Sequence, residues 1–262
     1  MDHREVGRHW NENADAWTKL SRAGYDVYRD LLNTPAFMAM LTDVDGLQVL
    51  DIGCGEGHNT RLLADRGARV TGIDIAERFI EHALDAERAE PRGITYQVAS
   101  AIEVPFANSS FDAATAFMSL MDVPETDRAL AEAHRVLVPG GFFQFSITHP
   151  CFDTPHRRVV RDVHGVKVAV EVGDYFRNLD GRVEEWLFGA APADAKAGLP
   201  LFRTPRFTRT MSQWLNLVLD TGFTIERVGE PYPSDEAVGA YPRLARARVV
   251  ADFFHLRVRK PV

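Results

Sequence analysis

Apolar and polar positions follow two different periods along this chain. Residues 1–46 carry a helical one, with Val27, Leu31 and Leu32, then Phe37 and Leu41, recurring every turn. That spacing predicts two polar-amphipathic helices, over about 5–20 and 25–41. From residue 47 short apolar runs take over, each followed by a helical pattern. Leu47–Ile52 reads as a buried strand, then come glycines, then a helix from His58 to Arg66. Ala68–Ile73 is a second strand, and the helix after it, near Glu77–Glu90, is ended by Pro91 and Gly93. Ile94–Ala99 and Phe111–Met118 are the third and fourth strands. A helix over Glu125–Leu137 stops at Pro139-Gly140-Gly141, and Phe142–Thr148 is the fifth strand. Strands alternating with helices of this length predict an α/β fold, a parallel sheet of right-handed βαβ units.

The rhythm breaks between 149 and about 207. Polar turns at His164-Gly165 and Asp180-Gly181 predict a hairpin over 158–172, followed by a loop around Ala190–Pro200. A stretch this long exceeds a plain connection and suits a lid or binding loop. A helix follows at about Thr210–Thr221 with Gly222 at its C-terminus, then strands near Phe223–Glu230 and Val249–Val258. The Pro- and Arg-rich connection 231–248 shows no helical pattern, so the last two strands are expected to be an antiparallel pair at the end of the sheet. The division that results is an N-terminal helical lid (1–46), a core (47–148), a cap insertion forming the substrate pocket (149–207), and a C-terminal helix and strands completing the sheet (208–262).

Composition narrows the function classes. The 262 residues hold 30 Lys and Arg against 37 Asp and Glu, a formal charge of −7. An acidic chain makes a poor phosphate-neutralising surface, so no nucleic-acid partner is expected. No apolar run approaches the roughly 20 residues of a membrane helix, and the start, MDHREVGRHWNENADAW, lacks the apolar stretch of a signal peptide. Only Cys54 and Cys151 are present; both are expected as thiols in a reducing, cytoplasmic setting. A monomer or homodimer is the expected state.

The candidate chemistry begins where the first strand ends, in Asp51-Ile52-Gly53-Cys54-Gly55-Glu56-Gly57. Glycines there let a ligand approach bare backbone, at the carboxyl edge where open parallel sheets bind ligands. The spacing is G-x-G-x-G; the dinucleotide fingerprint needs a glycine at position 58, which is His. Asp51 would repel a pyrophosphate and instead suits a ligand carrying ammonium and sulfonium groups, such as S-adenosylmethionine. Asp74 closes the second strand and can accept both hydroxyls of a ribose; it can equally cap the next helix.

Together with Ala99–Phe106, Ser110-Phe111-Asp112 and Arg135–Gly141, these segments resemble the class I S-adenosylmethionine-dependent methyltransferases of the small-molecule type. The resemblance is strong over 47–148. It implies a Rossmann-like, seven-stranded, mostly parallel sheet with an antiparallel last strand, plus the N-terminal helices and the cap insertion. It also implies S-adenosylmethionine as cofactor and S-adenosylhomocysteine as product. The site it implies comprises Trp17, Asp51, Gly53, Cys54, Gly55 and Asn59 around the methionine end, with Asp74 on the ribose. Ile75, Ser100, Ala101 and Ile102 would lie at the adenine, and Met118 with Ser119 beneath the sulfonium. Ser100 stands where the family often has Asp; a hydroxyl still accepts the adenine amino hydrogen, without charge assistance. Trp10 and Trp17, seven apart on one helical face, form either a cover over the cofactor or a helix packed on the domain.

Methyl transfer needs in-line positioning, and a base only where the nucleophile carries a proton. His149, directly after the fifth strand, is the candidate catalytic base, or else a histidine that shapes the loop. His149, Cys151, Asp153 and His156 lack the spaced pairs of a zinc site, so no metal is expected. Tyr25, Tyr28, Asp122, His149, Tyr175, Trp186 and Arg206 are the candidate acceptor contacts. Aromatic groups in the insertion suit a planar or apolar acceptor or the lid's own small core, and its arginines a carboxylate or neighbouring helix ends. The expected function is methyl transfer to oxygen, nitrogen or carbon of a small organic acceptor. The alternatives are an RNA or protein methyltransferase, or a non-catalytic regulatory protein that binds the cofactor.

Overall fold

The computed structural model describes all 262 residues. The chain opens with α1 (His3–Arg22), capped by Asp2, which accepts a hydrogen bond from the Glu5 N–H at 2.8 Å. A π-helical turn (Arg29–Asn33) then leads into α2 (Thr34–Met40). The regular helix expected over 25–41 is therefore interrupted. The widened turn sets the buried Asn33 so that its Oδ1 accepts from Ser146 Oγ at 3.1 Å and from His255 Nε2 at 2.6 Å. An extra residue in one turn leaves no mark in a hydrophobic period.

The α/β core follows as β1 (Gln48–Ile52), α3 (His58–Ala64), β2 (Arg69–Asp74), α4 (Glu77–Ala89), β3 (Thr95–Val98) and β4 (Phe111–Phe117). A 3-10 turn (Leu120–Asp122) leads to α5 (Thr126–Val136) and β5 (Leu137–Thr148). The insertion contains β6 (His156–Arg161), β7 (Lys167–Gly173), β8 (Arg182–Trp186), a short α6 (Ala193–Lys196) and β9 (Phe202–Arg206). The chain ends with α7 (Met211–Asp220), β10 (Thr224–Gly229), α8 (Asp235–Ala240), a 3-10 segment (Pro242–Arg248) and β11 (Phe253–Arg259). No helix is long and apolar enough to cross a membrane.

Seven strands form one sheet in the order β10-β11-β5-β4-β1-β2-β3. β3 to β5 pair in parallel, and β11 runs antiparallel between β5 and β10. The continuous apolar runs of the sequence are explained by burial of both faces. Neighbouring residues point to opposite sides. Leu50, Ala114 and Phe143 face Leu130 of α5 and Trp214 and Val218 of α7. Val49, Ala113 and Phe142 face Phe37 of α2, Leu63 of α3 and Ile80 of α4.

The two hairpins of the insertion pair separately from this sheet, β6 with β7 and β8 with β9. The first lies where the polar turns predict it. The second escapes the sequence because its strands are joined by a long loop without a turn signature. The connection 231–248, expected to lack a helix, holds α8 and the 3-10 segment. Ser234 caps α8 by accepting from the Ala237 N–H, and Ala237, Leu244 and Ala247 bury themselves against Leu32. Burial holds a helix this short, where periodicity over so few residues is silent.

His255 links β11 to the π turn, and burial pushes its imidazole down to about 4. An unfolded histidine titrates near 6.5, so the unfolded chain takes up this proton first as pH falls. Stability therefore declines from about pH 6.5 down through the folded value, by about 3 kcal/mol once complete. Urea unfolding at neutral pH and at pH 5 is expected to show this decline, and His255→Gln to remove most of its slope; equal slopes in both proteins would refute the assignment.

Candidate active site

The order of the strands reverses between β1 and β4, which opens a crevice at their carboxyl ends. The glycine loop fills that point. Gly53 has φ +71°, and a Cβ there would overlap the side chain of Ser119 at the end of β4. Ser119 Oγ in turn donates to the Ile52 carbonyl at 2.8 Å. Gly57 has φ +89°, and an added Cβ would lie 2.6 Å from the Tyr96 hydroxyl. Gly55 is different: its φ is +55° and the space where a Cβ would stand is open, so bare backbone faces the cavity.

Asp74, at the end of β2, holds this loop in place. Its carboxylate accepts from the Gly55 N–H at 2.9 Å and from the Ala76 N–H at 2.8 Å. Burial pushes it up to about 6, against the pull of those N–H groups. Asp51 is deeper. It accepts from Thr60 Oγ1 at 2.6 Å and Thr115 Oγ1 at 2.8 Å, tying α3 and β4 beneath the loop. Burial raises its carboxyl and the two hydroxyls pull it back. Across the crevice Met118 takes φ +53°, a strained conformation for a residue with a side chain, and its N–H donates to the Ser146 carbonyl at 2.9 Å.

A cavity of about 630 Å³ runs from this loop to the insertion. That lies within the usual range for small-molecule sites, roughly 300–1,000 Å³. Trp17, Asp51, Gly53, Cys54, Gly55, Asn59, Asp74, Ile75, Ser100, Ala101, Met118 and Ser119 all line it, as do Tyr25, Tyr28, Asp122, Trp186 and Arg206. Ile75 meets α1 at Gly7, where an added Cβ would lie 3.0 Å from Ile75 Cγ1, so the glycine lets the helix come close. Ser100 Oγ accepts from the Ile102 N–H at a long 3.4 Å, which leaves the hydroxyl able to meet a ligand.

The cover is a clasp of aromatic rings. Trp17 of α1 packs on Phe188 and Phe202 with centroids 4.9 and 4.8 Å away, and Trp186 stands edge-on to it at 5.5 Å. The Trp186 indole donates to Thr204 Oγ1 at 2.9 Å. The helix packs on the insertion through Trp17, and Trp10 and Trp17 line the cavity.

At the far end stands Asp122, 8% exposed, and no protein group donates a hydrogen bond to its carboxylate. Burial pushes it up to about 7, with Arg206 drawing it down and Asp153 raising it. Arg206 is not free to clamp an acceptor carboxylate: one arm bonds Asp153, the other Glu184 at 3.1 Å.

Three expected residues lie elsewhere. His149 is 3% exposed and outside the cavity. Its Nδ1 accepts from the Cys151 N–H at 3.2 Å and its Nε2 is 2.8 Å from Glu230, so both ring nitrogens are engaged. Its ring packs against Phe152 and Phe254. The fifth strand does end at the cavity, but the chain turns immediately after Thr148 and carries the imidazole away. Tyr175 accepts from the Met211 N–H at 2.8 Å, closing the start of α7 rather than facing a ligand. Ile102 buries its side chain in the core beside Leu130, while its backbone, the part expected at the adenine edge, stays next to Ser100. His149, Cys151, Asp153 and His156 do not converge: His156 is bonded to Glu171 and Asp153 to Arg206.

The cavity also takes in an acid that motif reading passes over. Asp26, which burial pushes up to about 6, lines the loop end beside Arg29, Glu56 and His58. Glu56 accepts from Arg22 at 3.1 Å and from Arg29 at 3.3 Å, which fixes α1 and the π turn to the glycine loop. The only sequence signal was an acid between two glycines, and its partners Arg22 and Arg29 lie 34 and 27 residues upstream, outside any motif.

Known proteins resemble this chain in sequence and in fold. A family profile described as a methyltransferase domain matches residues 50–145. An O-methyltransferase of Penicillium expansum, cnsE, is 38% identical over 171 residues, covering 58% of this chain and 62% of that protein. A demethylmenaquinone methyltransferase of Thermobifida fusca is 34% identical over 143 residues, covering 53% and 59%. The chain thus spans about six tenths of the length of these curated relatives. An S-adenosylmethionine-dependent methyltransferase from Mesorhizobium loti superposes with a TM-score of 0.68 at 30% identity, covering 86% of this chain and 96% of that one.

Gly53→Ala is expected to lose the ligand site before the fold. Both the positive φ and the overlap with Ser119 force the loop to move. Calorimetry should show S-adenosylhomocysteine affinity reduced at least about tenfold, while the far-ultraviolet circular dichroism stays that of the parent. Unchanged affinity would show that the loop does not form the site.

Proposed function

This chain belongs to the S-adenosylmethionine-dependent methyltransferases, and on that premise we propose that it methylates oxygen, nitrogen or carbon of a small organic acceptor, with Asp122 receiving the acceptor's proton. The observation that carries this reading is one cavity with a buried carboxylate at each end, Asp74 at the glycine loop and Asp122 near the insertion. The residues fit the cofactor: Gly55 offers open space, and Asp74 keeps lone pairs beyond its two backbone bonds. S-adenosylmethionine supplies a methyl group on a sulfonium and is left as S-adenosylhomocysteine.

The chain's own groups do the rest. Asp74 receives the ribose hydroxyls, Ser100 and the Ala101 backbone meet the adenine edge, and Ile75 packs against the ring. Gly53 and Gly55 admit the methionine end. Met118, held in its strained turn, and Ser119 set the wall where that end meets the acceptor chamber. The aromatic clasp of Trp17, Trp186 and Phe188 keeps water out, which matters because a sulfonium also reacts with water. Asp122 takes the proton of an acceptor hydroxyl or amine, so that the attacking atom is unprotonated. A carboxyl near pH 7 is matched to that task, and His149, engaged on both nitrogens, is not available for it. A concave cavity partly covered by the aromatic clasp suits a small acceptor better than an extended RNA or protein chain.

Two measurements test this. Calorimetry with S-adenosylhomocysteine is expected to give micromolar binding, weakened at least about tenfold in Asp74→Ala. Equal affinities would remove Asp74 from the ribose. With a panel of phenols and amines, kcat should rise with pH through about 7 as Asp122 ionises. Asp122→Asn should lower kcat about a hundredfold and flatten that rise, with S-adenosylhomocysteine affinity unchanged. A variant that kept the rise would place the base elsewhere.

A further inference from the structure

A second cavity of about 380 Å³ adjoins the first and shares Tyr28, Thr148, Arg246 and Phe253 with it. Its walls come from β6, β7, the 3-10 segment and the start of β11. They bring together four cations, Arg157, Arg161, Lys167 and Arg246, and two acids, Asp153 and Asp252. Each acid has an arginine partner: Asp252 accepts one bond from Arg157 at 3.3 Å, and Asp153 accepts from Arg206.

Lys167 has no such partner. It is only 7% exposed, its ammonium has neither a hydrogen bond nor an ion pair within the protein, and it faces this cavity. The Arg246 guanidinium is likewise free of any acid. An unpaired ammonium on a largely buried side chain, set among guanidinium groups, attracts an anion. Burial holds Lys167 below the usual lysine value; Asp252 pulls it up, and Arg157, Arg246 and Arg161 lower it further.

We propose that this cavity is an oxyanion subsite, in which Lys167 and Arg246 bind a carboxylate or phosphate group. Arg206, the arginine that sequence alone favours for an acceptor carboxylate, has both arms committed, and the uncommitted charge lies one chamber further on. Because the two chambers share Tyr28 and Thr148, an acceptor reacting beside Asp122 can extend its anionic end here. That extension rests on the methyltransferase reading; anion binding itself does not.

Acetylation of Lys167 by acetic anhydride, quantified by peptide mass spectrometry, tests it on the full chain with S-adenosylhomocysteine present. Millimolar inorganic phosphate should protect Lys167 at least about fivefold relative to chloride at equal ionic strength, with Lys196 labelling unchanged. Arg246→Gln should weaken that protection. A second arm compares 3-(4-hydroxyphenyl)propionate with 4-ethylphenol. Protection by the acid and not by the phenol, relieved by no other change, identifies the anionic end of an organic acceptor; protection by phosphate alone identifies a free anion. Absence of protection by both phosphate and the organic acid overturns the subsite. S-adenosylhomocysteine affinity, read separately, shows whether the methyltransferase reading has failed with it.

Discussion

The close approach of Gly53 to Ser119 is the constraint on which the rest of the molecule depends. β1 and β4 must lie side by side at the point where strand order reverses, and their carboxyl ends must still leave a crevice. Only a residue without a side chain, at positive φ, lets the chain leave β1 under Ser119. Everything around the crevice reinforces that geometry. Asp74 bonds the loop from β2, Asp51 ties α3 to β4 below it, and Ser119 bonds back to Ile52. The strain at Met118 is tolerated because its neighbours are fixed from both sides.

Charge is distributed so that each chamber has a distinct chemistry. At the loop end acids dominate the ligand-facing surface, and Arg22 and Arg29 are drawn back onto Glu56. In the middle Asp122 stands buried and unbonded, its ionisation brought near neutrality by burial. Arg206 is close enough to moderate that shift yet is held by Asp153 and Glu184. The cations left over gather beyond it, around Lys167. A protein of net negative charge thus keeps a local positive pocket, which net charge alone would not suggest.

The insertion does two jobs through its two hairpins. β8 and β9 carry the aromatic rings that clasp α1 over the cavity, and β9 also delivers Arg206. β6 and β7 stand apart from the main sheet and supply Arg157, Arg161 and Lys167. The π turn before α2 is tied to the core: Arg29 reaches the glycine loop and Asn33 reaches Ser146 and His255. A wide turn permits both because it changes which residues share a face.

Sequence by itself determined the sheet and the glycine-loop end of the cavity. Apolar runs such as Leu47–Ile52 and Phe142–Thr148 can be satisfied only by burial on both faces, and Gly53, Gly55 and Asp74 are local to the strands they end. Those signals lie within a few residues of the features they encode. Tertiary structure alone decided the end of the cavity near the insertion. It turned His149 away against Glu230, put Tyr175 on the start of α7, bound both arms of Arg206, and left Asp122 and Lys167 unpaired. It also built the β8–β9 hairpin and the short α8, for which local propensity gives no signal. The physical reason is range. A side chain's direction and pairing in a loop are fixed by partners from distant segments, and no spacing along the chain records which partner wins.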